Sequence, residues 1–143
     1  MTGLGVKLER MNDNTFTMRS WDEQVVSGPE DGPRYAHAHA TFAYTGLIEG
    51  TSSCDYLLYY ATPGYDDGNG QSAPGYERVE GSVAGRTGSF LIRHDVRYGA
   101  NGISDTWSVV PGSGTGELAG LSGTGTASGS SETVDYTFDY SLS

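Results

Sequence analysis

The stretch Ser89 to Tyr98 reads SFLIRHDVRY, and its two faces are unlike. Phe90, Ile92, His94, Val96 and Tyr98 fall on one side, and Leu91, Arg93, Asp95 and Arg97 on the other. A period of two marks a strand with one buried face. Arg and Asp side chains are costly to bury unpaired, so their face points to solvent. The opposite face is apolar except for His94. Thr133 to Leu142 (TVDYTFDYSL) repeats the pattern, with Val134, Tyr136, Phe138, Tyr140 and Leu142 against Thr133, Asp135, Thr137, Asp139 and Ser141.

Working outward, Gly81 to Gly88 is a glycine-rich turn, and Tyr76 to Gly81 (YERVEG) precedes it as a strand. With Arg78 and Glu80 outward, Glu77 and Val79 face inward. A turn centred near Ala84 and Gly85 sets Glu77 opposite Ile92 and diagonal to His94. Diagonal neighbours on one face lie roughly 7–8 Å apart, within reach of long side chains. Downstream, Gly99 to Gly102 contains the Asn-Gly hairpin signal, and Ser104 to Val110 is a strand with Trp107 and Val109 inside.

Four further segments complete the set. Thr15 to Trp21 alternates, with Phe16, Met18 and Ser20 on one face and Thr17, Arg19 and Trp21 on the other. Tyr35 to Tyr44 places Ala36, Ala38, Ala40, Phe42 and Tyr44 against Tyr35, His37, His39 and Thr41. Cys54 to Ala61 is apolar on both faces, so the inner side of these last two strands stays open. Pro111 to Gly125 has room for one short helical turn at Glu117 to Ala119, before a small polar strand around Thr126. Regular spacing of about eight strands predicts an all-β sandwich or barrel. An eight-stranded antiparallel barrel, with no substantial helix, is just wide enough to hold side chains or one small ligand. Residues 1–143 read as one domain, the first eleven fraying. Thr62 to Pro74 has no period; it is either a lid at the barrel mouth or a tolerated surface insertion.

Composition agrees with this reading and narrows function. The chain has 143 residues, 22 of them Gly and 10 Tyr, which disfavours long helices and suits strands. Asp and Glu number 18 against 8 Lys and Arg, a formal charge of -10. Such a surface repels phosphate backbones and anionic membranes, so neither nucleic acid nor membrane is an expected partner. The lone Cys54 makes no internal disulfide, and the start lacks the apolar run of a signal peptide. A cytoplasmic location is expected.

The run Val109 to Gly123 (VVPGSGTGELAGLSG) is the most distinctive stretch. Together with Ser20-Trp21-Asp22-Glu23, the Glu77-Arg78 pair and Gly85-Arg86-Thr87-Gly88-Ser89-Phe90, it resembles a bacterial family known as domain of unknown function 3224. The resemblance spans residues 15 to 142. It implies a barrel of the allene oxide cyclase type, eight antiparallel strands and often dimeric. Proteins of that kind include allene oxide cyclases, plant dirigent proteins and small bacterial cyclases of polyketide-type products. The resemblance therefore implies guidance of a reactive, mostly apolar molecule inside the barrel, without a cofactor. It carries over no catalytic residue. The loop Thr62 to Pro74 looks longer than the corresponding turn of its relatives.

Glu77 and His94 are the ionisable groups left on the inner face. A buried Glu beside a His suits general acid–base chemistry, because burial raises a carboxyl pKa; a structural hydrogen-bonded pair is the alternative. Phe16, Met18, Tyr56, Tyr59, Phe90, Trp107, Tyr136 and Tyr140 are the candidate substrate-lining residues, or else plain core. His37 and His39 share a face and could bind a metal with His94 or Glu77, but an exposed or dimer-interface role is favoured and no metal is expected. Gly114 to Gly120 lacks the βαβ context of a dinucleotide loop. The expected function is a cofactor-independent cyclase or isomerase acting on a polyketide- or lipid-like ligand, in a homodimer. The alternative is a barrel that carries or senses a hydrophobic ligand without transforming it.

Overall fold

The alternation around His94 extends along nearly every strand. A computed structural model describes residues 14–29, 33–60, 71–99 and 102–143. It has eight strands: β1 (Thr15–Ser27), β2 (Arg34–Thr45), β3 (Ile48–Tyr60), β4 (Gln71–Val83), β5 (Arg86–Gly99), β6 (Gly102–Val109), β7 (Leu121–Gly129) and β8 (Thr133–Leu142). Each pairs antiparallel with its neighbour in sequence, and β1 meets β8 to close the barrel. Among the described residues that closing seam is short, its pairing running from Thr15 opposite Asp135 to Thr17 opposite Thr133. None of the described helices is long and apolar enough to cross a membrane.

The β4–β5 hairpin turns at Ala84 and Gly85, both with positive φ (51° and 86°), the geometry of a tight hairpin turn. Glu77 consequently lies opposite Ile92, and Gly75 opposite His94. Arg78, Glu80, Arg93, Asp95, Arg97, Asp135 and Asp139 all face solvent. The open parities are settled too. Ala36, Ala38, Ala40, Phe42 and Tyr44 point inward from β2, and Cys54, Tyr56, Leu58 and Tyr60 from β3.

Three strands depart from the sequence reading. The first strand holds a bulge: Met18 pairs with Phe42 but Ser20 with Thr41, leaving Arg19 as an extra residue. One extra residue reverses the alternation beyond it. Trp21, expected opposite Phe16 and Met18, therefore shares their face and lines the mouth of the interior, 45% exposed. Strand β3 starts at Ile48, since the turn after β2 is shorter than the glycines suggested. Gly50 belongs to the strand and faces Gly81. The backbones approach so closely that a Cβ on Gly81 would fall 2.0 Å from the Glu49 carbonyl oxygen. Strand β4 starts at Gln71, with Pro74 inside it. Pairing with β3 reaches only Gly75, so the missing Pro74 N–H costs no bond on that side. The supposed loop thus ends sooner; its residues 62–70, like residues 1–11 that were expected to fray, lie outside the described residues.

One end of the barrel is plugged. Strand β5 runs past β6, whose pairing begins at Val109 opposite Ile92. The uncovered edge is taken by the connection between β6 and β7. Val110 N–H donates to Leu91 O (2.9 Å) and Thr115 N–H to Ser89 O (2.9 Å). Glu117 Oε1 accepts from Thr87 N–H (2.9 Å). A single 3-10 turn, Gly116–Leu118, drops the buried Leu118 into the barrel end beside Val83, Phe90 and Leu121. At the same end the Tyr136 hydroxyl donates to Thr45 O (3.0 Å) and accepts from Ile48 N–H (2.9 Å). Trp107 lies over Gly125, where a Cβ would come within 2.2 Å of its ring. The barrel is filled at this end and hollow at the other.

Candidate functional site

The hollow end encloses a cavity of about 510 Å³, a size typical of sites for drug-sized ligands. Its apolar wall includes Phe16, Met18, Phe42, Leu58, Val96 and Ile103. Tyr56 stands between the His94 ring (6.2 Å) and the Trp21 ring (5.9 Å) and links floor to rim. The rim carries Glu23, Glu132 and the turn between β7 and β8. Tyr60 donates to Glu23 Oε2 (2.8 Å).

The floor is a chain of buried polar groups. His94 Nδ1 meets Asp105 Oδ2 at 2.6 Å, and Nε2 meets Glu77 Oε1 at 2.6 Å. Tyr44 donates its hydroxyl proton to Glu77 Oε2 (2.8 Å), and Ser52 donates to the same oxygen. Glu77 is 1% exposed, Asp105 4% and His94 5%. Register explains the cluster: Glu77 sits opposite Cys54, and His94 opposite Trp107, two residues beyond Asp105. Asp105 Oδ1, also buried, has no hydrogen-bond partner among the described residues.

Charges in this enclosure are strongly coupled. Burial disfavours the His94 imidazolium, but bonds from Asp105 and then Glu77 outweigh it and lift the pKa to about 9. Burial lifts the Asp105 carboxyl above its usual range, with the His94 bond opposing. Burial, reinforced by the Glu77 charge, holds the Tyr44 hydroxyl well above 10. At neutral pH His94 is a cation between two acids.

A model of the family described as "Protein of unknown function (DUF3224)" matches residues 12–140, nearly the whole chain. The chain belongs to the DUF3224 family. Among solved structures it is similar to a DUF3224 protein of unknown function from Shewanella oneidensis MR-1. The two share 25% identity, with 92% of this chain and 99% of that one covered and a TM-score of 0.67. No curated protein matches.

Within this DUF3224 barrel the expected site residues separate into three groups. Glu77, His94, Phe16, Met18 and Tyr56 line the cavity. Phe90, Trp107, Tyr136 and Tyr140 lie inside the barrel but away from the cavity wall, packed in or against the core toward the plugged end. Tyr59 is a correction. It points outward, 37% exposed, with its ring 5.1 Å from that of Tyr35, because Cys54 and Tyr56 take the inner parity of β3. The suggested union of His37 and His39 with His94 or Glu77 is excluded by the barrel wall. Both outer histidines instead share Asp55 Oδ1 at 2.9 Å.

Asp105, Tyr44 and Ser52 were missed. Asp105 had a usable signal, since it lies two residues before Trp107 and so shares its inner face. Tyr44 and Ser52 had none while the parity of their strands was open. Cys54 Sγ, a Glu77 oxygen and a His94 nitrogen lie within 4.8 Å of one another, a spacing from which a small cation could be held. Such an ion would have to displace the existing bonds of Glu77 and His94.

Proposed function

We propose that this protein is a cofactor-independent isomerase or cyclase that moves a proton on a mainly apolar small molecule held in the cavity. One observation carries the reading: a buried acid–imidazole–acid chain, Glu77–His94–Asp105, whose three residues all line an apolar chamber. A carboxyl raised by burial is a stronger base than an exposed one and is suited to take and return a proton. Asp105 would take the proton from the ligand and hand it back at a second position, with no net change in atoms. His94 would balance the charge on Asp105. Glu77, fixed by Tyr44 and Ser52, would hold His94 in register as a positioning residue. The aromatic wall restricts the ligand's conformation, which lowers the barrier to ring closure. The resemblance to allene oxide cyclase-type barrels supports the same class.

The test is product analysis with candidate polyenes and polyketide-like ketones. The wild type is expected to convert one of them, and Asp105→Asn and Glu77→Gln to convert it more slowly while still binding it. A ligand returned unchanged by the wild type favours the second reading, a carrier or sensor, which the apolar chamber also suits. A cytoplasmic homodimer belongs to the same proposal. Tyr35, Leu57, Tyr59 and Tyr76 are exposed on the outer face of β2, β3 and β4. Sedimentation of the wild type against Tyr59→Lys tests whether that face joins two copies.

A further inference from the structure

The outer wall of the barrel carries a cluster of donors that the cavity does not use. The chain has three histidines, and two of them, His37 and His39, stand on the solvent face of β2. Residues two apart on a strand share a face. His39 pairs with Asp55 of β3, which leaves His37 diagonal to that carboxylate. The two rings bridge these unequal spans with different nitrogens. His39, directly opposite, uses the near Nδ1, and His37, one step along, uses the far Nε2. Each nitrogen lies 2.9 Å from the same oxygen, Asp55 Oδ1. On its other side His39 pairs with Asp22 of β1. Directly opposed residues have Cβ atoms about 4.5–5.5 Å apart, so a second carboxylate stands within reach of the same ring.

Held together by surface hydrogen bonds and charge alone, such a trio is worth little. A divalent ion draws more from the same donors. Two imidazoles with one or two carboxylates are a donor set of Zn²⁺. The nitrogen content disfavours Mg²⁺ and Ca²⁺, which take oxygen ligands. All three side chains are about half exposed, so they can turn to close on an ion without disturbing the core. The formal charge of -10 concentrates cations around the surface.

We propose that His37, His39 and Asp55 form a Zn²⁺ site on the outer face of β2 and β3, with Asp22 as the nearest further ligand. The ion takes Nε2 of His37 and Nδ1 of His39, so the proton of each neutral ring sits on its other nitrogen. Asp55 exchanges two hydrogen bonds for one metal bond. The ion clamps β2 to β3, and through Asp22 to β1, near the middle of each strand. The site stands whatever the cavity holds, because Ala36, Ala38 and Ala40, which alternate with these histidines, face the other side of the wall.

Calorimetric titration of the full, untagged chain with Zn²⁺ and, separately, Mg²⁺ tests this. One Zn²⁺ per chain is expected to bind, and Mg²⁺ is not expected to bind at the same concentrations. Losing even a supporting residue of a metal site costs about 10–100-fold in affinity, so His39→Asn and Asp55→Asn should each weaken Zn²⁺ by at least about tenfold. Both substitutions lie on the solvent face and leave the core intact. The buried trio of Cys54, Glu77 and His94 is the competing location, and it contains the chain's one thiol. Co²⁺ bound to the wild type should therefore show no sulfur-to-metal charge-transfer band. Absence of Zn²⁺ binding, equal binding of Mg²⁺, undiminished affinity in His39→Asn, or a thiolate band with Co²⁺ would each overturn the proposal.

Discussion

Raising the pH discharges His94 while it lies between two buried carboxylates, and the fold should weaken measurably as it does so. The ordinary histidine value of 6.5 is lifted to about 9 in the folded state. A proton bound more tightly by the folded chain stabilises it fully below 6.5, and that stability drains away as the pH climbs through 9. A difference of about 2.5 units corresponds to about 3 kcal/mol. That is a large share of the total stability of an ordinary domain, about 5–15 kcal/mol. Asp105, also raised, acts in the same sense from above its usual 3.8. Tyr44 and Tyr56 titrate only above 10, outside the window. Urea unfolding across pH 6.5 to 9 should show the midpoint falling steadily. His94→Gln should be less stable throughout and lack the slope attributable to this group. A wild-type midpoint that is flat or rises over this interval, or a folded-state imidazole that loses its proton below 6.5 by NMR, would refute the reasoning.

Gly125→Ala should destabilise by about 1–3 kcal/mol in thermal denaturation, since the new methyl collides with Trp107 and over-packed cores cost that much. Leu118→Ala should cost about 2–5 kcal/mol by the same assay, because a fully buried leucine then leaves a void in the plug. Deleting Arg19 removes the bulge but leaves Trp21 on the inner parity, since Phe16, Met18 and Trp21 then alternate without interruption; iodide quenching of Trp21, 45% exposed, should match the wild type, with Trp107 remaining protected. Trp107→Ala should lower stability by about 3–5 kcal/mol rather than alter ligand choice, read by denaturation and binding side by side.

How far the sequence reveals this molecule depends on where charge marks a face. In β5 and β8, Arg93, Arg97, Asp135 and Asp139 label the outside, so the alternation reads unambiguously. The hairpin from Glu77 to His94 follows from its turn residues alone. Strand β3 carries Leu57 and Tyr59 outward and Leu58 and Tyr60 inward, so hydrophobicity cannot distinguish its sides. Tyr59 was misplaced for that reason. Trp21 was lost to a bulge, which leaves no compositional trace when the extra residue is an ordinary exposed arginine. The chain Asp105–His94–Glu77 was two-thirds legible. Asp105 looks like a solvent-facing acid, and only its spacing from Trp107 betrays it. Distinguishing cavity from core among the aromatics depends on which end is plugged, and that is set by β5 overrunning β6.

The short seam between β1 and β8 has a consequence for how the protein is made. Of the eight strands those are the earliest and the latest to be synthesised, and among the described residues their pairing covers just Thr15–Thr17 and Thr133–Asp135, with one flanking backbone bond at each end. Hairpins from β2 to β7 can pair as they emerge, being local in sequence. The cylinder itself stays an open, curled ribbon until β8 leaves the ribosome. Until then the row carrying His94 and Glu77 remains exposed to water on one side. A nascent chain stalled before Thr133 would present an unpaired sheet edge to its neighbours, the circumstance in which half-built β-proteins associate.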